Sequence, residues 1–280
     1  MRCASFAIDD RESYGIVERG MIREADEAFR TQYPDLRSVL AADQLDALAG
    51  ATEAPVPLSR VCLLPPILHP DKIICVGQNY LAHIREMGNE PGAYPAIFTR
   101  YASSMCGHEM PLVRPKVSEK YDFEGELALV IGRAGREIPA EKALDHIAGY
   151  TCFMDGSIRD YQRHTAQFWP GKNFVATGAM GPWLVTSEEI GDPAGQHLTT
   201  RLNGTEVQSS PVSDLAATVP EIIAYLSTVT ELLPGDVIAT GTPGGVGAAR
   251  KPPLWLKPGD TLDVEISGIG TLSNPIHAEA

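Results

Sequence analysis

The run Phe123-Glu124-Gly125-Glu126 leads into five consecutive apolar residues, Leu127 to Ile131. An apolar, β-branched run of this length predicts a buried strand. Side chains on a strand repeat direction every second residue, so Glu124 and Glu126 are predicted to project from one face. A second apolar run, Ile147 to Met154, predicts another strand with Asp155 at its end, just before Gly156. Lys72 to Val76 predicts a short buried strand ending at Gly77. Pro234-Gly235-Asp236 and Pro258-Gly259-Asp260 are turn signals, each followed by a strand-favouring run. Asn203-Gly204 predicts a hairpin turn. The clearest helix opens at Thr218-Val219-Pro220-Glu221, a capping-box spacing with proline in the first turn, and carries Ile222, Ile223, Leu226 and Val229 as an apolar stripe. A shorter helix is predicted over Tyr80 to Met87, capped by Asn79 and ended by Gly88 and Pro91. The Ala/Leu/Asp-rich stretch Val39 to Ala49 fits a third.

Strands and turns dominate from Asp71 onward, with no long-period repeat and no strand–helix alternation of the dinucleotide-binding kind. The fold class expected is α+β and β-rich. Proline-rich segments, Ala54-Pro55-Val56-Pro57-Leu58 and Pro65-Pro66, read as an extended linker. They divide the chain into a small N-terminal α+β domain, residues 1–65, and a larger domain, residues 66–280.

At 280 residues the chain holds an ample core, and its 44% apolar and 21% charged residues are ordinary for a globular protein. A net charge of -13 argues against nucleic acid or an anionic membrane as partner. Five cysteines without close pairing suit a reducing cytoplasm and are expected as small core hydrophobes. Charges at Asp9, Asp10, Arg11 and Glu12 leave no export-type apolar segment, and no run reaches membrane-spanning length.

Two like charges side by side at a buried strand repel unless solvent screens them or a cation lies between them. The cation is the better explanation here, and paired oxygen donors suit Mg²⁺ or Mn²⁺ over zinc. Asp155 is the expected third ligand; Asp160 competes, but a cap or an ion pair with Arg159 would account for it. A glycosidase pair would need carboxylates on opposite sides of a bond, which neighbours on one strand face do not provide. His83 and Glu86, three apart on the predicted helix, share a face and form a candidate general-base dyad; the plainer reading is an incidental surface pair. Gly77, Gly88 and Gly92 flank that helix, as a mobile lid would require. Lys172 lacks a phosphate-loop context and is instead a candidate for holding a carboxylate or enolate oxygen. The loop Thr240 to Gly247 offers hydroxyls and N–H groups to an anion, or is simply a tight turn. His108, His164 and His197 have no partner at metal-ligand spacing and are expected as structural or exposed.

In this order, these patterns resemble the fumarylacetoacetate hydrolase family over Lys72 to Pro275. The likeness is carried by Val76-Gly77-Gln78-Asn79-Tyr80, His83 with Glu86, Glu124-Gly125-Glu126-Leu127-Ala128, Asp155 with Ser157-Ile158-Arg159-Asp160, Lys172-Asn173-Phe174, Pro234-Gly235-Asp236 and Thr240-Gly241-Thr242-Pro243. The resemblance implies a β-roll-like catalytic domain, usually a homodimer, binding Mg²⁺ or Mn²⁺ and acting on a small 2-oxo acid. It implies Glu124, Glu126 and Asp155 as metal ligands and His83 with Glu86 as a water-activating dyad. Lys172 would stabilise enolate charge, while Arg159, Gln162 and Thr242 would hold substrate. The activity expected is hydrolysis of a C–C bond in acylpyruvate-type acids. The alternatives are decarboxylation of a β-keto acid such as oxaloacetate, or isomerisation of a 2-hydroxymuconate-like dienoate. Gln78, Met154-Asp155-Gly156 and Leu215-Ala216-Ala217 depart from the family's usual residues.

Overall fold

The computed structural model describes residues 1–86, 92 and 94–280. Among these residues the strands form a twelve-stranded mixed sheet, a five-stranded sheet and a two-stranded ribbon, with few and short helices. The predicted β-rich α+β architecture is thus the one observed. No helix among the described residues is long and apolar enough to cross a membrane.

Strand Gly125–Ile131 lies inside the large sheet, antiparallel to Ile147–Met154 on one side and to Val237–Ala239 on the other. Its unbroken apolar run is explained by burial on both faces. Leu127, Leu129 and Ile131 enter the largest core cluster, while Ala128 and Val130 enter the second. The larger cluster also takes in Leu198, Leu262 and Leu272 from the five-stranded sheet. The two sheets therefore share one core, and the acid-bearing strand crosses its centre.

Residues 1–65 extend the same sheet. Strand Arg2–Ile8 pairs with Gly178–Thr186 through Arg2↔Val185 and Cys3↔Leu184. The proline-rich segment is extended as expected, yet it is tied down: Val56–Pro57 pairs with Met21–Ile22, and Cys62–Leu63 with Phe6–Ala7.

Several local expectations need correction. The stretch Val39 to Ala49 is not one helix but parts of two, Leu36–Ala41 and Leu45–Leu48, separated where Asp43 takes a left-handed conformation with φ 55°. The capping box at Thr218 and Glu221 is present and opens helix Val219–Val229, but Val229 points to solvent and Val219 joins the buried stripe instead. Asn79 does not cap the helix after it. Its side chain accepts from the Ala217 N–H and donates to the Ala217 and Thr240 carbonyls, stapling together segments far apart in sequence. That helix is described over Leu81–Glu86; the predicted stops at Gly88 and Pro91 lie outside the described residues. Cys3, Cys75, Cys106 and Cys152 are buried, but Cys62 is exposed on its short edge strand.

Candidate functional site

Strand parity and register assemble the acidic centre. Glu126 pairs with Phe153 across the sheet, and Gly125 with Met154. One step further along, the Asp155 N–H donates to the Glu124 carbonyl at 2.9 Å, so Asp155 and Glu124 face each other where the strands end. Glu124 and Glu126 share a face by the period of two. Phe153 and Asp155 share a face of the neighbouring strand for the same reason. Opposed residues bring side chains to within about 5 Å at Cβ. The outcome is three carboxylates, all buried, whose oxygens lie within 4.8 Å of one another. Gly125 between the glutamates has no room for a side chain: a Cβ would lie 2.2 Å from Thr200 Oγ1.

The centre is held by buried cations. The Lys172 ammonium, 1% exposed, bonds Glu124 Oε2 and lies 2.5 Å from Asp155 Oδ2. Burial opposes its charge, but Asp155 and Glu124 outweigh that and hold the ammonium above its ordinary pKa. Arg159, also buried, sets Nη2 2.7 Å from Glu124 Oε1 and donates from Nη1 to Gln162 Oε1 at 2.9 Å. Asp160 stands apart from the triad. It accepts from the Ser118 hydroxyl and the Tyr161 N–H and does not pair with Arg159, whose carboxylate partners are Asp122 and Glu124.

Three residues that sequence reasoning passed over complete the frame. Arg100, wholly enclosed, donates to Asp155 Oδ1 at 2.6 Å and to the Gly156 carbonyl at 3.0 Å. Asp122 accepts from Arg159 Nε at 2.7 Å and from the Gly247 and Ala248 N–H groups. It continues the period-two series Asp122, Glu124, Glu126, and that spacing could have found it. Gln208 accepts from the Gly125 N–H and donates to the Thr242 hydroxyl. Thr242 in turn donates to the Gly125 carbonyl at 2.9 Å, so the glycine-rich loop is fastened to the strand that carries the glutamates.

The donor set fits a divalent cation. Four buried carboxylates (Asp122, Glu124, Glu126 and Asp155) meet three buried cations (Arg100, Arg159 and Lys172), leaving one negative charge. Glu126 is where it is felt. Its one hydrogen-bond partner among the described residues is the Gly241 N–H at 2.8 Å. Burial first, then Asp155 and Glu124, push its carboxyl well above the ordinary carboxylate range. A buried oxygen cluster of this kind is suited to a hard cation.

The triad opens into a cavity of ≈ 310 Å³ whose walls include Lys172, Arg159, Gln162 and Thr242. Seven of the nine residues singled out from the sequence thus converge on one space. The other two come from helix Leu81–Glu86. The Glu86 carboxylate accepts from the Gly245 N–H at 3.1 Å, on the glycine-rich loop, and is not among the described cavity walls. The His83 side chain lies outside the described residues. Of the other histidines, His197 meets Ser209 Oγ at 2.9 Å, His108 accepts from the Ser273 N–H, and His164 is exposed beside Tyr161.

Oxaloacetate tautomerase YisK of Bacillus subtilis is 44% identical over 223 residues, spanning 78% of this chain and 74% of that protein. Mitochondrial oxaloacetate tautomerase fahd2 of Xenopus laevis is 43% identical over 220 residues, spanning 78% and 69%. The crystal structure of maleylpyruvate hydrolase from Sphingobium sp. SYK-6, in complex with manganese(II) ion and pyruvate, superposes with a TM-score of 0.80 at 29% identity over the whole of both chains. The family model for the C-terminal region of fumarylacetoacetate hydrolase matches residues 72–277. By sequence and by fold, the chain belongs to the fumarylacetoacetate hydrolase family of enzymes.

Proposed function

We propose that this protein is a divalent-cation-dependent keto–enol tautomerase of a small 2-oxo dicarboxylic acid of the oxaloacetate type. The observation that carries the reading is the Lys172 ammonium, buried against two carboxylates on the floor of the cavity. Enolisation moves one proton from the carbon beside the carbonyl to the carbonyl oxygen, and the negative charge that develops on that oxygen needs a cation already in place. The choice of tautomerisation over bond cleavage rests on the 43–44% identity to two oxaloacetate tautomerases.

Glu124, Glu126 and Asp155 would hold Mg²⁺ or Mn²⁺, and Arg100 and Lys172 keep Asp155 in position. A bound cation supplies Lewis acidity to the 2-oxo acid end of the substrate. Lys172 shares the enolate charge. Arg159 and Gln162, locked to each other, present donors to substrate oxygens along one wall, and the Thr242 loop closes another. His83 and Glu86, the dyad expected from the sequence, would carry the proton from the neighbouring carbon to the carbonyl oxygen and, in the reverse direction, back to the carbon.

Hydrolysis of acylpyruvates, the activity expected from the sequence, is a second reading of the same site. The maleylpyruvate hydrolase likeness favours it, with water activated by His83 and Glu86 in place of direct proton transfer. Decarboxylation of oxaloacetate would use the same floor without the dyad. One experiment separates the three: follow the enol absorbance of oxaloacetate, the release of carbon dioxide and the cleavage of acylpyruvates in parallel, with Mn²⁺ and with chelator. Tautomerisation is expected to be the fastest and to vanish in chelator. Faster acylpyruvate cleavage overturns the reading in favour of the hydrolase.

A further inference from the structure

The reacting end of a 2-oxo acid is spoken for by the floor of the cavity, but a dicarboxylate has a second anionic end. Most cations at the site are already engaged. Lys172 is held by Glu124 and Asp155, Arg159 by Asp122 and Glu124, and Arg100 by Asp155. Arg163 is different. It lines the cavity, is exposed, and its guanidinium has no hydrogen-bond or ion-pair partner among the described residues.

Its position follows from the short helix Arg159–Gln162, of which Arg163 is the C-terminal cap. Residues i, i+3 and i+4 lie on one helix face, so Arg159, Gln162 and Arg163 address the same space. Their burial falls in that order: Arg159 is 6% exposed, Gln162 half-buried and Arg163 exposed. The face therefore runs from floor to rim. Arg159 to Arg163 is four residues, about 6 Å of helical rise, the span of a four- or five-carbon acid. A guanidinium matches a carboxylate with two parallel donors.

We infer that Arg163 is a specificity-determining residue, the rim subsite that reads the distal carboxylate of a 2-oxo dicarboxylate whose other end sits over the acidic triad. The inference rests on the proposed substrate class and not on the reaction performed there. Its consequence is a preference for dicarboxylates over monocarboxylates of equal length, sensitive to salt because the subsite is solvent-exposed.

The test is calorimetric binding to the Mn²⁺-loaded protein of 2-oxoglutarate and 2-oxopentanoate, which share the 2-oxo acid end and chain length and differ in the distal carboxylate. The wild type should favour 2-oxoglutarate by on the order of five- to tenfold, as expected for an exposed charge-assisted pair. Arg163→Met should erase that ratio by weakening 2-oxoglutarate alone, and Arg163→Lys should restore part of it. Arg163→Glu should reverse it. An unchanged ratio in Arg163→Met, or a wild type with no preference, overturns the inference. A ratio that depends on Arg163 in a protein that does not tautomerise oxaloacetate supports the subsite and refutes only the proposed reaction.

Discussion

Replacing Glu126 with glutamine separates the cost of the acidic centre from its use. The triad's oxygens lie within 4.8 Å of one another. At that distance two unit charges repel by about 3 kcal/mol at an effective dielectric near 20. Glu126 faces two such charges, and Lys172 offsets part of the repulsion. The metal-free protein therefore either bears that repulsion or protonates a carboxyl whose pKa burial has already raised. Glutamine keeps an oxygen for the Gly241 N–H and drops the charge, so metal-free Glu126→Gln should melt at or above metal-free wild type. With a cation at about 100 times its dissociation constant, the wild type gains about 2.7 kcal/mol. For a chain of this size that is a rise of roughly 5–10 °C in melting temperature. The variant, with one of three charged ligands gone, should lose most of this gain. Thermal unfolding followed by circular dichroism, in chelator and in Mn²⁺, reads both effects. A variant that kept the full Mn²⁺-dependent rise would refute the assignment of Glu126 as a ligand. One that melted well below wild type in chelator would refute the repulsion argument.

Lys172→Met strands two buried carboxylates without their ammonium. Denaturant titration in chelator should show a loss on the order of 3–5 kcal/mol, the cost of an unpaired buried charge, and Mn²⁺ should recover more of it than it adds to the wild type. Gly125→Ala puts a methyl group 2.2 Å from Thr200 Oγ1 and 3.2 Å from Val264 Cγ1. Overpacking of this kind costs about 1–3 kcal/mol, and the displaced strand should weaken Mn²⁺ binding in calorimetry; unchanged affinity would mean the strand's position does not orient the glutamates. Away from the site, burial raises the Glu24 carboxyl, but bonds from Arg11 and Ser13 and the charge of Arg30 outweigh it and leave it below the ordinary 4.5. A lowered folded-state pKa gives stability that is present above the unfolded value and lost as pH falls through the folded one. Glu24→Gln should therefore cost about 1 kcal/mol at pH 7, after allowance for screening, and the two urea midpoints should converge in acid.

The floor of the site was legible because its signals are local. Glu124 and Glu126 are set by strand period, Asp155 by the end of an apolar run, and the Thr218 helix by its own first turn. Asp122 escaped although its spacing is local; the rest of what escaped depends on pairing between distant segments. Arg100 ends an edge strand, Ala96–Arg100, with no apolar pattern to announce burial, and it reaches Asp155 only because Ile73–Gly77 brings that edge inward. Asn79 carries a capping residue's chemistry, but tertiary contacts at Ala217 and Thr240 claim its side chain. The proline-rich segment looked like a free linker because its partners, Phe6–Ala7 and Met21–Ile22, lie 30 to 60 residues away.

The same division explains why the reaction was harder to read than the cation site. The triad, Lys172, Arg159 and Arg100 are buried on, or at the ends of, strands and helices packed into the core, and each is fixed by an ion pair or, for Glu126, by the Gly241 N–H. Substitution of the paired groups there costs stability as well as chemistry, and substitution of Glu126 would cost cation affinity, so the floor is a poor place to vary. The groups that would select the acid and its reaction lie toward solvent: Gln78 at φ 54° and Arg163 at the end of a one-turn helix on the cavity wall, and Glu86 on the helix Leu81–Glu86. Exposed side chains change at little cost to the fold. Relatives named for tautomerisation and for hydrolysis accordingly lie at 29–44% identity to this chain. On the proposed reading, the floor would supply the charge that an enolate needs, and the rim would determine which acid reaches it and where the proton goes.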